Sequence, residues 1–211
     1  MGVAERKERH KEELKSEILS AAHKLFTEKG YEAISIRNIA ERIEYSPATI
    51  YLYFKDKNEI IHALHQEGFK SLVGYSQVLN EVSDPFERLK AMGRAYIRFA
   101  LENQDVYELL FVMKEPLKHV ESCMAEEWDE GGRAFDILLQ TVLQCQERKL
   151  FIGHDAERLS FMIWSFMHGL CSLRISGHLG HVKATQTEEE LNALMKNTYE
   201  SFVQVLESIR S

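Results

Sequence analysis

Apolar residues recur every three or four positions along most of this 211-residue chain, and no run of alternating apolar and polar residues is long enough to favour a strand. The first predicted helix covers about residues 9–29, with its apolar side chains on one stripe. Gly30 follows it, and glycine is typical of the position just past a helix C-terminus. The pattern predicts an all-α protein.

Two short helices are predicted next. Ser35 is a typical N-cap for a helix whose apolar residues lie at i, i+3, i+4 and i+7. Ser46 and Pro47 give an N-cap followed by proline at the first helical position, where the missing N–H costs nothing. In that second helix Ile50 and Phe54 face inward, whereas Thr49, Tyr51 and Tyr53 face outward. This layout fits a helix-turn-helix, whose second helix enters the DNA major groove, and it equally fits a helical hairpin in a bundle.

Longer helices fill the remainder of the chain. Capping boxes at 56–59 and 187–190 and the Asp84-Pro85 pair mark three helix starts. The predicted helices cover about residues 85–103, 106–113, 118–149 with a bend or break at Gly131-Gly132, 155–178 and 188–210.

The segment 155–178 is apolar on nearly all sides, so as a helix it needs neighbours on both faces. The last helix, 188–210, carries a broad apolar stripe. One face of this pair can pack on its own chain and the other on a second copy, which predicts a homodimer through a four-helix interface. A large monomeric core is the alternative.

Charge changes the picture only when it is divided by region. The formal net charge of −7 argues against a generic polybasic coat for nucleic acid. Residues 1–58, however, hold 11 Lys/Arg and 10 Asp/Glu, whereas the remainder holds 15 and 23. The N-terminal quarter therefore repels a polyanion less. Its first residues interleave both signs, which fits a solvated helix start or a tether to the DNA backbone or minor groove.

Several classes of protein are excluded or disfavoured. Three cysteines without a CxxC motif argue against a zinc ribbon or a disulfide scaffold and suit a reducing cytoplasm. The longest uncharged stretch, between Arg158 and Arg174, is shorter than the ~20 residues of a membrane span. Common catalytic and nucleotide-binding motifs are absent, so no enzyme, cofactor or catalytic residue is expected. The pairs His62/His65 and His178/His181 lack a nearby acidic or Cys partner, so no metal site is expected either.

A family resemblance rests on two stretches, SIRNIA at 35–40 and YSPATIYLYFKDK at 45–57. Together they resemble the DNA-binding signature of the TetR-family transcriptional regulators. The chain departs from that signature at the turn, where it has Ile43-Glu44 in place of Ala-Gly. Because glycine accepts a positive φ most readily, we expect the turn to be wound differently. Farther along, Trp164, His168 and Gly169 resemble the ligand-domain subgroup named for its Trp-His-Gly motif.

The resemblance implies an all-helical homodimer with two domains. Residues 1–58 would form a three-helix DNA-binding domain with the helix-turn-helix, and residues 59–211 a helical effector-binding and dimerisation domain. The partners implied are double-stranded operator DNA and a small-molecule effector. Most members repress, and effector binding releases them from the operator.

The resemblance also assigns roles to individual residues on the DNA side. Arg37 would contact phosphate or a base edge. The major groove would be faced by Ala48, Thr49, Leu52 and Tyr53, where apolar contact to thymine methyls and hydroxyl hydrogen bonds are the available chemistry. Tyr51 and Lys57 would bind phosphates. The full candidate set is Arg37, Ser46, Pro47, Ala48, Thr49, Tyr51, Leu52, Tyr53, Lys55 and Lys57.

For the effector, aromatic and apolar residues of the C-terminal part are the candidates. They are Tyr96, Phe99, Tyr107, Phe111, Trp128, Phe135, Met162, Phe166 and His168. Few Lys or Arg interrupt these helices, which favours a neutral or cationic apolar ligand. A helical small-molecule-binding protein without DNA affinity is the alternative function, supported by Glu44 and the missing turn glycine.

Overall fold

A computed structural model of the chain describes residues 2–112, 129–183 and 187–210, and all regular secondary structure within these ranges is helical. The all-α prediction is confirmed. In chain order the helices are α1 Val3–Lys29, α2 Ile36–Arg42, α3 Pro47–Ile50, α4 Lys57–Gln77, α5 Pro85–Glu102, α6 Gln104–Phe111, α7 Asp129–Glu147, α8 Ala156–Ile175, α9 His178–Lys183 and α10 Glu188–Ser208, with a 3-10 turn at Val78–Glu81 after α4.

Most helix starts follow the local rules that predicted them. The Ser35 hydroxyl accepts the Asn38 N–H, and the Asn38 side chain in turn accepts the Ser35 N–H. Asp84 accepts two N–H groups at the start of α5, and Thr187 accepts the Glu190 N–H at the start of α10. These caps satisfy N–H groups that have no partner inside a helix, so each start is fixed by its own few residues.

Three larger differences from the predicted helices concern α1, α7 and α8. Helix α1 begins at Val3, about two turns early, where the Glu5 carboxylate accepts the Gly2 N–H at 2.6 Å and Glu8 pairs with Lys11 at 3.9 Å. Within the described residues α7 is continuous through Gly131 and Gly132, where the sequence predicted a bend or a break, so the chain is not interrupted there. Helix α8 ends at Ile175, and Gly177, with φ of 78°, precedes the separate short helix α9.

The described residues form two compact units. The N-terminal unit contains residues 2–69, 108–112 and 129, and the C-terminal unit contains 70–107, 130–183 and 187–210. In the N-terminal unit, apolar side chains of α1 to α4 and of Leu109 form one core. Its fully buried members include Ile18, Ala22, Ile39, Ala40, Ile50, Ile60 and Ile61.

The core of the C-terminal unit joins α5, α7, α8 and α10 around Phe86, Val142 and Phe151. Helix α5 approaches α10 closely at Gly93, where an added Cβ would lie 2.6 Å from the hydroxyl oxygen of Tyr199. That hydroxyl donates to the Lys90 carbonyl at 2.5 Å. The glycine is therefore required by packing rather than by a turn.

Helix α7 ends in a Schellman motif without glycine. The N–H of Leu150 donates to the Cys145 carbonyl at 3.0 Å, that of Lys149 donates to the Gln146 carbonyl at 2.8 Å, and Lys149 takes φ of 63°. The Cys145 thiol is fully buried, as is that of Cys171 on α8. Burial raises the pKa of Cys145 to about 11 and that of Cys171 to about 12.

Candidate functional site

The first helix of the predicted helix-turn-helix presents one face to the N-terminal core. Ile36, Ile39 and Ala40 are buried on α2. Arg37 projects from the exposed side, where its guanidinium lies 3.3 Å from the Glu41 carboxylate. An ion pair this exposed contributes little stability, so Arg37 can exchange its partner for a phosphate at little cost.

The turn after α2 is a second Schellman motif. The N–H of Tyr45 donates to the Ala40 carbonyl at 2.9 Å, that of Glu44 donates to the Glu41 carbonyl at 3.3 Å, and Glu44 takes φ of 59°. The expectation of a differently wound turn is wrong. The two hydrogen bonds and the packing of Ile43 on the core hold the left-handed conformation even though Glu44 has a Cβ.

Helix α3 is very short and fixed at both ends. The Ser46 hydroxyl accepts the Thr49 N–H at 3.2 Å, and Pro47 occupies the first helical position. Ile50 and Phe54 anchor the segment in the core, as the sequence predicted. The opposite side is open to solvent: Leu52 is 80% exposed and Tyr51 57%.

The remaining candidates on this surface divide into exposed and engaged residues. Exposed ones are Ser46, Pro47, Ala48 and Lys55, and Thr49 is half-buried with its hydroxyl 3.0 Å from that of Ser46. Tyr53 is half-buried and packs against the core. The Lys57 ammonium, predicted to bind phosphate, instead donates to two backbone carbonyls of the same unit.

Among the effector candidates, three aromatic groups lie together in the C-terminal unit. The Tyr107 hydroxyl lies 2.7 Å from His168 Nδ1 and 3.3 Å from Ser172 Oγ. The ring of Tyr96 meets that of Tyr107 at right angles, with centroids 6.2 Å apart. Burial raises the pKa of Tyr107 to about 12 and lowers that of His168, so both groups are neutral at pH 7. Within this cluster, hydrogen-bond distances connect Tyr107 to His168 and Ser172.

Other effector candidates lie elsewhere. Met162 is 66% exposed, which does not fit the pocket prediction, and Phe166 stacks on Phe202 with ring centroids 3.9 Å apart. Phe111 belongs to the N-terminal unit, where its ring meets Phe69. Phe99 is fully buried, Phe135 is half-buried beside Phe161, and Trp128 lies outside the described residues.

The C-terminal unit contains an open cleft of about 510 Å³, and none of the eight predicted effector residues that the structure describes lines it. Its walls come from the end of α4, the start of α5 and one side of α7. The charged lining residues are Lys70, Arg88, Arg133, Glu130 and Asp136. The α7 residues recur every three or four positions, but such a polar stripe is also typical of a solvated helix face, so the sequence alone does not identify the cleft.

Two family models match the chain. One, described as "Bacterial regulatory proteins, tetR family", matches residues 18–64. The other, described as "Tetracyclin repressor-like, C-terminal domain", matches residues 89–198, which is just over half of the chain. The chain belongs to the TetR family of transcriptional regulators. The first resemblance noted in the sequence is thereby confirmed, and these regulators are not enzymes.

Individual relatives agree with this assignment. The HTH-type transcriptional activator FasR of Mycolicibacterium smegmatis is 31% identical over 102 residues, which are 48% of this chain and 47% of FasR. The TetR-family regulator PfmR of Thermus thermophilus is 26% identical with a TM-score of 0.59, covering 74% of this chain and 84% of PfmR. A protein of unknown function from Rhodococcus sp. RHA1 shares the fold at 21% identity and a TM-score of 0.72. The match covers 90% of this chain and 94% of that protein.

The chain spans about half to three fifths of the length of the curated HTH-type relatives it matches (47% and 63% for two of them). Across the described ranges, no helix is both long and apolar enough to cross a membrane. The same ranges contain no group of three or more His, Cys, Asp or Glu side chains placed to hold a metal ion.

Proposed function

We propose that this TetR-family chain binds operator DNA as a homodimer and represses transcription until a small-molecule effector releases it. The observation that carries the DNA-binding part is the surface of α3. This helix buries Ile50 in the core of the N-terminal unit, and the turn that follows it leaves Tyr51 and Leu52 in solvent, in a segment that the N-terminal family model matches. A large exposed apolar group such as Leu52 favours contact with a partner, and thymine methyl groups in the major groove suit it.

In this proposal the contacts divide by chemistry. Thr49, Leu52 and Ala48 face base edges, where hydroxyl and methyl groups read sequence. Arg37, Tyr51 and Lys55 contact phosphates, which fixes the orientation of α3 without reading sequence. Ser46 and Pro47 complete the surface at the start of the helix.

The proposal is tested by measuring DNA affinity with fluorescence anisotropy. The two DNAs compared are the region upstream of the chain's own gene and random DNA of the same length. We expect Thr49→Ala to weaken operator binding about tenfold and random binding little, because each base contact is worth about 1–3 kcal/mol. Lys196→Ala on the exposed side of α10 is the matched control. Equal binding of the two DNAs by the wild-type chain would favour the alternative, a helical binding protein without operator recognition.

The dimer part rests on α8 and α10. Four large apolar side chains of these helices are exposed, namely Phe161, Met162, Leu173 and Val205. Exposed apolar groups on two adjacent predicted interface helices are expected when a second copy covers them. Sedimentation velocity tests the dimer by measuring the oligomeric state of Met162→Glu and Val205→Glu variants. Glu200→Lys is the exposed polar control on α10. A wild-type chain that sediments as a monomer would contradict the dimer.

For the effector we propose the cleft between α4, α5 and α7. Its volume of about 510 Å³ lies within the range typical of small-molecule sites. The charged lining favours an effector that carries polar groups, in contrast to the neutral or cationic apolar ligand that the sequence favoured. A compound that raises the Tm of the wild-type chain by more than it raises the Tm of the Arg88→Ala variant would support this site. Arg98→Ala, on α5 outside the cleft lining, is the control.

A further inference from the structure

Lys57 is the first residue of α4, and its side chain turns back into the N-terminal unit. Its ammonium donates to the carbonyl oxygens of Tyr31 at 2.8 Å and Ile34 at 2.9 Å. The same nitrogen lies 3.9 Å from the centroid of the Tyr31 ring. The Tyr31 hydroxyl in turn donates to the Asn58 side chain. The first turn of α4 thus holds the connection between α1 and α2 through several contacts at once.

The contacts explain how a cation is tolerated at this position. The N-terminus of a helix carries a partial positive charge, so a lysine in the first turn of α4 is electrostatically unfavourable by itself. Two carbonyl oxygens and the negative face of the Tyr31 ring offset this. The two carbonyl oxygens accept hydrogen bonds from two of the three N–H donors of the ammonium. Lys57 is half-buried, whereas Lys55 is exposed two residues earlier.

The two carbonyl groups that Lys57 contacts lie in the connection just before α2. Ile34 directly precedes Ser35, the N-cap of α2, and α2 carries Arg37 on its exposed side. Because Ile34 and Tyr31 are themselves buried, the connection has little freedom to shift around the ammonium. The position of the start of α2 relative to the start of α4 therefore depends on Lys57.

We propose that Lys57 is a positioning residue for DNA binding, a clamp that fixes the turn before α2 to the start of α4 and contacts no phosphate itself. This role rests on the proposed DNA-binding function. It differs from the phosphate contact that the sequence predicted in one measurable respect. A phosphate contact releases counterions and adds about 0.9 to the slope of log K against log salt concentration, whereas a clamp adds nothing.

The experiment compares Lys57→Met with Lys55→Met, two variants of the full chain that each lose one charge. Operator affinity is measured by anisotropy from about 50 to about 200 mM salt, and Tm is followed by far-UV circular dichroism. For Lys57→Met we expect a Tm lower by about 4–8 °C and an affinity about tenfold lower, with the salt slope unchanged. For Lys55→Met we expect an unchanged Tm and a slope reduced by about 0.9 per protomer.

Tyr31→Leu provides a second test that changes no charge. It removes the aromatic face and the hydroxyl, so its effects on Tm and affinity are expected to be less than additive with those of Lys57→Met. A Lys57→Met variant that keeps its Tm and loses about 0.9 per protomer from the slope would overturn the clamp, as would full additivity with Tyr31→Leu. If the wild-type chain binds no DNA, the proposed function has failed instead.

Discussion

Glu44 lies in the turn of the helix-turn-helix and adopts a left-handed backbone conformation that a residue with a side chain disfavours. For an L-residue the left-handed region costs about 1–2 kcal/mol, because the Cβ approaches the following carbonyl oxygen. Glycine removes this cost but loses about 0.5–1 kcal/mol more backbone entropy on folding. The side chain of Glu44 is exposed and φ is 59°. We therefore expect Glu44→Gly to raise the free energy of unfolding by about 0.5–1 kcal/mol.

Urea unfolding followed by circular dichroism at a fixed chain concentration measures the change, as a shift in midpoint at constant slope. Glu44→Ala is the matched control, because it removes the carboxylate but keeps the Cβ and hence the strain. We expect its midpoint to stay within error of the wild type. A gain for Glu44→Ala as large as that for Glu44→Gly would mean that charge, not backbone conformation, sets the effect. A Glu44→Gly variant less stable than the wild type would refute the reasoning outright.

Three further predictions concern single residues. Gly93→Ala should lower the free energy of unfolding by about 1–3 kcal/mol, because its Cβ would meet the Tyr199 hydroxyl at 2.6 Å; Gly93→Ala with Tyr199→Phe should recover part of the loss in the same urea assay. Lys149→Gly should raise Tm by a few degrees, since Lys149 takes φ of 63°, and Lys149→Ala should not. Burial lowers the pKa of His65 to about 4, so the unfolded chain binds the proton more tightly, and stability is lost as pH falls from about 7 towards 4. Between about pH 7.5 and 5 we expect this to cost about 2 kcal/mol in urea unfolding, and His65→Leu should remove that share.

Features that depend on a few neighbouring residues follow from the sequence. Ser35, Ser46 and Asp84 cap their helices as predicted, since a cap needs only its own side chain and the next three N–H groups. The burial of Ile50 and Phe54 follows in the same way from helical spacing.

Features that depend on distant parts of the chain do not. The partners of Lys57 lie 23 and 26 residues away, so residue type alone indicated a phosphate ligand. Helix α8 is apolar on almost every side, and only the packed structure shows that Met162 is its most exposed large apolar residue. The cleft needs three helices to be in place before it exists. The turn at Glu44 is a different case, because its hydrogen bonds reach only Ala40 and Glu41 but outweigh the conformational preference of the residue that occupies it.

The two buried cysteines make the chain a convenient starting point for site-specific labelling. Maleimides react with the thiolate, and the raised pKa values of Cys145 and Cys171 leave each thiolate on the order of a hundredfold or more scarcer near neutral pH than at an exposed cysteine. With Cys123 replaced by serine, a single cysteine introduced at the exposed Glu32, outside the proposed DNA contacts, would accept a fluorophore selectively. Energy transfer to a dye on the operator would then report the arrival of the N-terminal unit at the DNA directly.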